Sequence, residues 1–144
     1  MQVSVIGSGS EHEQNAEEVG RLLAEGGATV VTGGLGEVMA AASRGAKSVG
    51  GTTIGIVPGE SPSAANKWVD HVVVTGMGHA RNLAVVASGD AVIAVGGRYG
   101  TLAEIGLALT LGRPVVILEP GWEIDGTLRA ASPAEAVELA LSAV

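Results

Sequence analysis

The residues best placed to do chemistry are glycines set around one cation and one carboxylate. Gly96-Gly97-Arg98-Tyr99-Gly100-Thr101 follows the apolar run Val92-Ile93-Ala94-Val95, and Glu104 stands three residues beyond Thr101. Glycines let backbone N–H groups approach an oxyanion closely, and the first turn of a following helix adds unpaired donors and partial positive charge. The pattern therefore expects a phosphate-bearing ligand such as a nucleotide, with Gly96, Gly97, Arg98, Gly100 and Thr101 around the phosphate. Arg98 could equally face solvent. Thr101-Leu102-Ala103-Glu104 also fits a helix capping box, in which the two side chains satisfy backbone donors. Arg81 sits in the first turn of another helix, where a cation opposes the helix dipole. A bound anion beside Arg81 would relieve that misfit; a solvated surface side chain would explain it as well.

Two further glycine turns end apolar runs. Gly7-Ser8-Gly9-Ser10 follows residues 2–6, and Gly33-Gly34-Leu35-Gly36 follows residues 28–32. Gly7 and Ser8 are expected on one wall of the ligand site and Gly33, Gly34 and Gly36 on another, with Thr75 at the same edge. The dinucleotide fingerprint is incomplete, because His12 stands at the third glycine position and no acidic residue ends the second run. Neither turn carries the Lys-Ser/Thr pair of a P-loop. His12 and His79 lack metal-ligand spacing and receive no role.

These turns need elements to hold them. Apolar runs at residues 2–6, 28–32, 53–57, 69–74, 91–95 and 115–118 read as strands, and residues 13–25, 37–49, 77–87, 101–111 and 133–141 read as helices. Residues 60–67 read as a polar loop with one helical turn, and 120–129 as loop. Strands alternating with helices give an α/β fold of three layers, Rossmann-like, over 1–144 as a single domain. Its sheet is mostly parallel, with about six or seven strands and helices on both faces. Ligands bind such sheets beyond the carboxyl ends of the strands. The 101–111 helix is apolar nearly all round, so it is expected at a homodimer or larger interface, or else buried centrally in the monomer.

Composition narrows the function classes. Of 144 residues, 47% are hydrophobic and 16% charged, which argues against disorder. A net charge of −7 argues against sequence-independent nucleic-acid binding. Without cysteine there is no disulfide or thiolate chemistry, and no metal site is expected. No apolar run approaches the ~20 residues of a membrane helix, and residue 1 leads straight into a strand without a signal segment. A cytoplasmic protein with no membrane association is expected.

Three stretches together carry a resemblance: Gly33-Gly34-Leu35-Gly36-Glu37-Val38-Met39, Thr75-Gly76-Met77-Gly78-His79-Ala80-Arg81-Asn82, and Gly96-Gly97-Arg98-Tyr99-Gly100-Thr101-Leu102-Ala103-Glu104. They resemble the paired glycine motifs of the Lonely Guy superfamily. That superfamily holds the cytokinin-activating phosphoribohydrolases, long labelled "possible lysine decarboxylases", and the molybdenum-cofactor carrier proteins. By the resemblance, Arg81 and Glu104 are the catalytic pair of a nucleoside 5′-monophosphate phosphoribohydrolase, which frees the base and ribose 5-phosphate. Glu104 would stabilise an oxocarbenium-like ribose while Arg81 holds the substrate. Asn82 in place of Lys, Val95 in place of Pro, and a glycine loop longer by one residue look more like the carrier branch. That branch implies a non-catalytic binder of a nucleotide or of the molybdenum cofactor as carried ligand, with no required cofactor. Trp122 could then stack on a planar ring, or simply pack its loop. Lysine decarboxylation is set aside: it needs a Schiff-base lysine, and Lys47 and Lys67 occupy a helix and a polar loop.

Overall fold

The computed structural model describes residues 1–144 as seven parallel strands in one sheet with five α-helices. The strands are β1 (Gln2–Ser8), β2 (Thr29–Thr32), β3 (Thr53–Val57), β4 (His71–Val74), β5 (Ala91–Gly96), β6 (Val115–Leu118) and β7 (Leu128–Ala130). The helices are α1 (Glu13–Glu25), α2 (Val38–Ser48), α3 (Arg81–Ser88), α4 (Tyr99–Thr110) and α5 (Pro133–Ser142). Spatial order is β4-β3-β2-β1-β5-β6-β7. The chain winds outward from β1 in one direction, then restarts at β5 on its other side. Between β1 and β5 lies the switch point, where the loops diverge and leave a crevice. In register there, Gly7 pairs with Val95 and Ser8 with Gly96.

β-branched runs make strands because both faces of a parallel sheet are covered, so every position can be apolar. Alternation then divides the core. Val3, Val5, Val30, Ile93, Val95, Val116 and Leu118 pack with α1, α2 and α5 on one face. Ile6, Val31, Ile56, Val92, Ala94, Val115 and Ile117 pack with α3 and α4 on the other. Ser4 points to the second face, where its hydroxyl donates to the Val85 carbonyl at 2.6 Å. No helix is long and apolar enough to cross a membrane.

The expected loop at 120–129 ends in β7, a seventh strand parallel to β6. It is only three residues long, too short for its periodicity to register in the sequence. The helix expected from residue 77 opens instead as a 3-10 turn, Gly78–Ala80, before α3. β4 begins at His71 rather than residue 69, because Asp70 turns back to Thr53: its backbone N–H donates to the Thr53 hydroxyl at 2.8 Å.

Candidate functional site

Between the carboxyl ends of β1, β2 and β5 lie two adjoining compartments. The inner one is a cavity of about 80 Å³ that brings together Gly7, Gly33, Met39, Arg81, Asn82 and Glu104. Arg81 opens α3 and Glu104 lies one turn into α4, so the two helices of the thinner layer bring them to the same cavity. Arg81 is buried. Its Nε donates to the Ile56 carbonyl at 2.9 Å and its Nη2 to the Gly33 carbonyl at 3.4 Å, with Nη1 on the Asn82 side-chain oxygen. The helix-dipole misfit expected for this cation is thus answered by main-chain carbonyls, one in β3 and one in the turn after β2. Burial lowers the Arg81 pKa, and the Glu104 carboxylate counters it. For Glu104 burial again dominates, raising its pKa to about 7 against the pull of Arg81. The two make no direct ion pair within 4.0 Å.

Glu104 and Thr101 do not form the capping box expected of them. α4 begins at Tyr99 and its N-cap is Arg98, with no side-chain hydrogen bond closing the end. The helix starts two positions earlier than expected, which places Thr101 and Glu104 inside it. Glu104 is thereby released to face the inner cavity, and the first-turn N–H groups keep no helical partner.

The outer compartment is an open cleft running along the turn between β5 and α4. On one side a cavity of about 410 Å³ is lined by residues 8–12, Glu37, Gly97 and Arg98. On the other, cavities of about 300 and 360 Å³ run from His12, Gly96 and Gly97 to Trp122, and from Gly97, Arg98 and Tyr99 to Trp122. Gly96 and Gly97 take φ of +62° and +109°. A Cβ on Gly96 would lie 2.2 Å from the His12 ring, and one on Gly97 2.2 Å from the Thr101 hydroxyl. Both must be glycine for the strand to enter this turn.

The structure therefore gathers Gly7, Ser8, Gly33, Gly96, Gly97, Arg98, Arg81 and Glu104 at the switch point. Gly100 and Thr101 line none of these cavities: Gly100 is exposed in the first turn of α4, and Thr101 is buried there with its hydroxyl against Gly97. Gly34 packs on Gly55 and Val57, while nothing lies within 4 Å of a Cβ on Gly36, and neither glycine lines the cleft. Thr75 is separate. It follows the edge strand β4, and its hydroxyl donates to the Val57 carbonyl at 2.8 Å and accepts from the Met77 N–H at 3.2 Å. Its hydroxyl closes a turn there, outside the crevice, because two strands separate β4 from β1.

Two residues gain a place that their sequence positions did not give them. His12 packs its ring over Gly96 and borders the cleft on both sides. Glu37 takes φ 55°, ψ −124°, and its carboxylate accepts from the Gly9 N–H at 2.7 Å. The available signal was position: each is a polar residue between a glycine turn and a helix. Trp122 packs on the second core from its loop, as one of its two readings expects, and also lines the cleft.

The model of the SLOG cluster4 family matches residues 1–142. The chain belongs to the SLOG cluster4 family. Among solved structures, the molybdenum cofactor binding protein of Rippkaea orientalis is similar at 35% identity and TM-score 0.92, covering 99% of this chain and 96% of that one. The molybdenum cofactor carrier protein of Chlamydomonas reinhardtii is similar at 33% identity and TM-score 0.87, covering 98% and 96%. A cytokinin riboside 5′-monophosphate phosphoribohydrolase of Mycobacterium tuberculosis is 35% identical over 77% of this chain, which spans 64% of that relative's length. Membership places this SLOG chain in the Lonely Guy superfamily, on the branch with the carrier proteins, as the glycine motifs implied.

Proposed function

We propose that this SLOG protein binds a phosphate-bearing small molecule with a planar head, a nucleotide or the molybdenum cofactor, and carries it unchanged. The observation that carries the reading is the uncapped start of α4 at the switch point. There the Gly96-Gly97 turn offers backbone donors to a cleft with Arg98 at one end and Trp122 at the other. A phosphate at the turn leaves the planar group within reach of the indole. No group of three or more His, Asp or Glu side chains could hold a metal ion here. A molybdenum cofactor would therefore be held through its phosphate and ring system, with the metal keeping the cofactor's own ligands. Carriage without chemistry is supported by Arg81, whose guanidinium is committed to main-chain carbonyls.

The second reading, N-glycosidic hydrolysis of a nucleoside 5′-monophosphate, is favoured by one observation: Arg81 and Glu104 share a cavity at the carboxyl ends of β1 and β2. Titration of the purified protein with AMP, with chromatography for free adenine, separates the two. Saturable binding without adenine is the expected result; steady adenine release that disappears in Glu104→Gln would establish the hydrolase instead. A ligand at about 100 times its Kd should add about 2.7 kcal/mol to stability. A homodimer fits the solvent-facing Leu83 and Tyr99 on α3 and α4, 46% and 83% exposed. Light scattering at micromolar concentration should give twice the chain mass.

A further inference from the structure

The turn after β1 looks, by its glycines, like a second anion site, yet its amide is already taken. The Gly9 N–H donates to the Glu37 Oε2 at 2.7 Å. Glu37 comes from the loop between β2 and α2, and it is the sole non-glycine residue with positive φ. A side chain is strained in that conformation, so the surroundings hold the carboxylate in place against a backbone preference. The carboxylate borders the same cavity as Gly97 and Arg98, with Glu11 and His12 completing the wall. Glu11 is 72% exposed at its side chain and 3.5 Å from the His12 Nε2. The cleft thus has two unlike ends. Backbone donors and Arg98 offer positive potential at the α4 end, while two carboxylates oppose an anion at the β1 end.

We infer that Glu37 determines specificity by filling the second anion position, so that the cleft takes a ligand with a single phosphoryl group. A second phosphoryl group reaching towards Gly9 would lose the amide to Glu37 and face like charge at close range. This rests on the phosphate position proposed at the β5–α4 turn, and it assigns a residue that the glycine pattern alone leaves without a role.

The test compares AMP and ADP binding by calorimetry in the wild-type protein, Glu37→Gln and Glu37→Gly. Gln keeps an acceptor for the Gly9 amide while removing the charge, and Gly accepts the positive φ while freeing the amide. The wild type should prefer AMP by at least about tenfold. Glu37→Gln should narrow that preference to within about threefold, and Glu37→Gly should abolish or reverse it, with AMP affinity changed less than ADP affinity. An AMP/ADP ratio that is the same in all three proteins overturns the role of Glu37 and leaves the phosphate site standing. Absence of AMP and ADP binding in folded wild-type protein overturns the phosphate site, and the inference with it.

Discussion

The two faces of the sheet are built differently. On one, α1 and α2 approach until backbone meets backbone: a Cβ on Gly20 would lie 1.9 Å from the Ala42 carbonyl oxygen, and one on Gly45 1.9 Å from that of Glu17. With α5 they cover a core of 20 buried residues, against 11 beneath α3 and α4. The second face keeps an ionisable pair, Arg81 and Glu104, close to its core and leaves Leu83 and Tyr99 exposed. Tight packing and site chemistry are thus kept on opposite sides. A carboxylate drawn partly out of water costs stability wherever it is placed, and the densely packed face can carry that cost for the whole sheet.

This contrast can be broken from either side. Gly45→Ala drives a methyl into a carbonyl that cannot move without separating α1 from α2, so a loss of about 3 kcal/mol or more is expected in urea denaturation. A loss under about 1 kcal/mol would mean that the first face is no stiffer than the second.

Glu104 gives the next largest effect. With a pKa of about 7 when folded, against 4.5 in the unfolded chain, the native state binds a proton that the unfolded state has given up between those values. Its contribution is full below pH 4.5 and is lost as pH rises through 7. The loss is on the order of 2–3 kcal/mol. Glu104→Gln should flatten this part of the pH–stability profile, measured by thermal unfolding from pH 4 to 8. A slope that is equal in both proteins would show that Glu104 has the same pKa folded and unfolded.

Trp122→Ala should weaken AMP binding about tenfold, a stacking contribution of about 1.4 kcal/mol, while leaving the phosphate contacts in place. Unaltered affinity would move the planar group away from the indole. Smallest is Gly106→Ala, on the same outer stripe of α4 as Tyr99, where nothing within the chain lies within 4 Å of the new methyl, so the effect is read on the unassociated protein at low concentration. Helix propensity alone predicts a gain of up to about 1 kcal/mol. The same alanine change is thus expected to destabilise one face and stabilise the other.

Much of this arrangement was legible in the residues. The strands at residues 53–57 and 115–118 and the helix at 13–25 match their observed limits, because long apolar periodicity and flanking glycines mark them plainly. The capping box was misread for a local reason: Thr101 and Glu104 have the right spacing, but the helix starts at Tyr99, where no cap residue announces it. Thr75 follows a strand, so its sequence position points to the site, but sequence cannot tell an edge strand from a central one. Glu37 was passed over because its backbone conformation and the distant amide that it fills leave no periodic trace.

What the amino-acid order determined by itself is the alternation of strand and helix, the parallel sheet it forces, and the glycine turns at strand ends. These follow from local periodicity and backbone sterics, which act over a few residues. Tertiary structure decided which turns meet. The reversal of winding between β1 and β5 brings Gly7, Gly97, Arg81 and Glu104 to one crevice and sends Thr75 to the rim. Strand order is set by packing across residues far apart in the chain, and it is there that Glu104 loses its solvent and Glu37 finds the Gly9 amide.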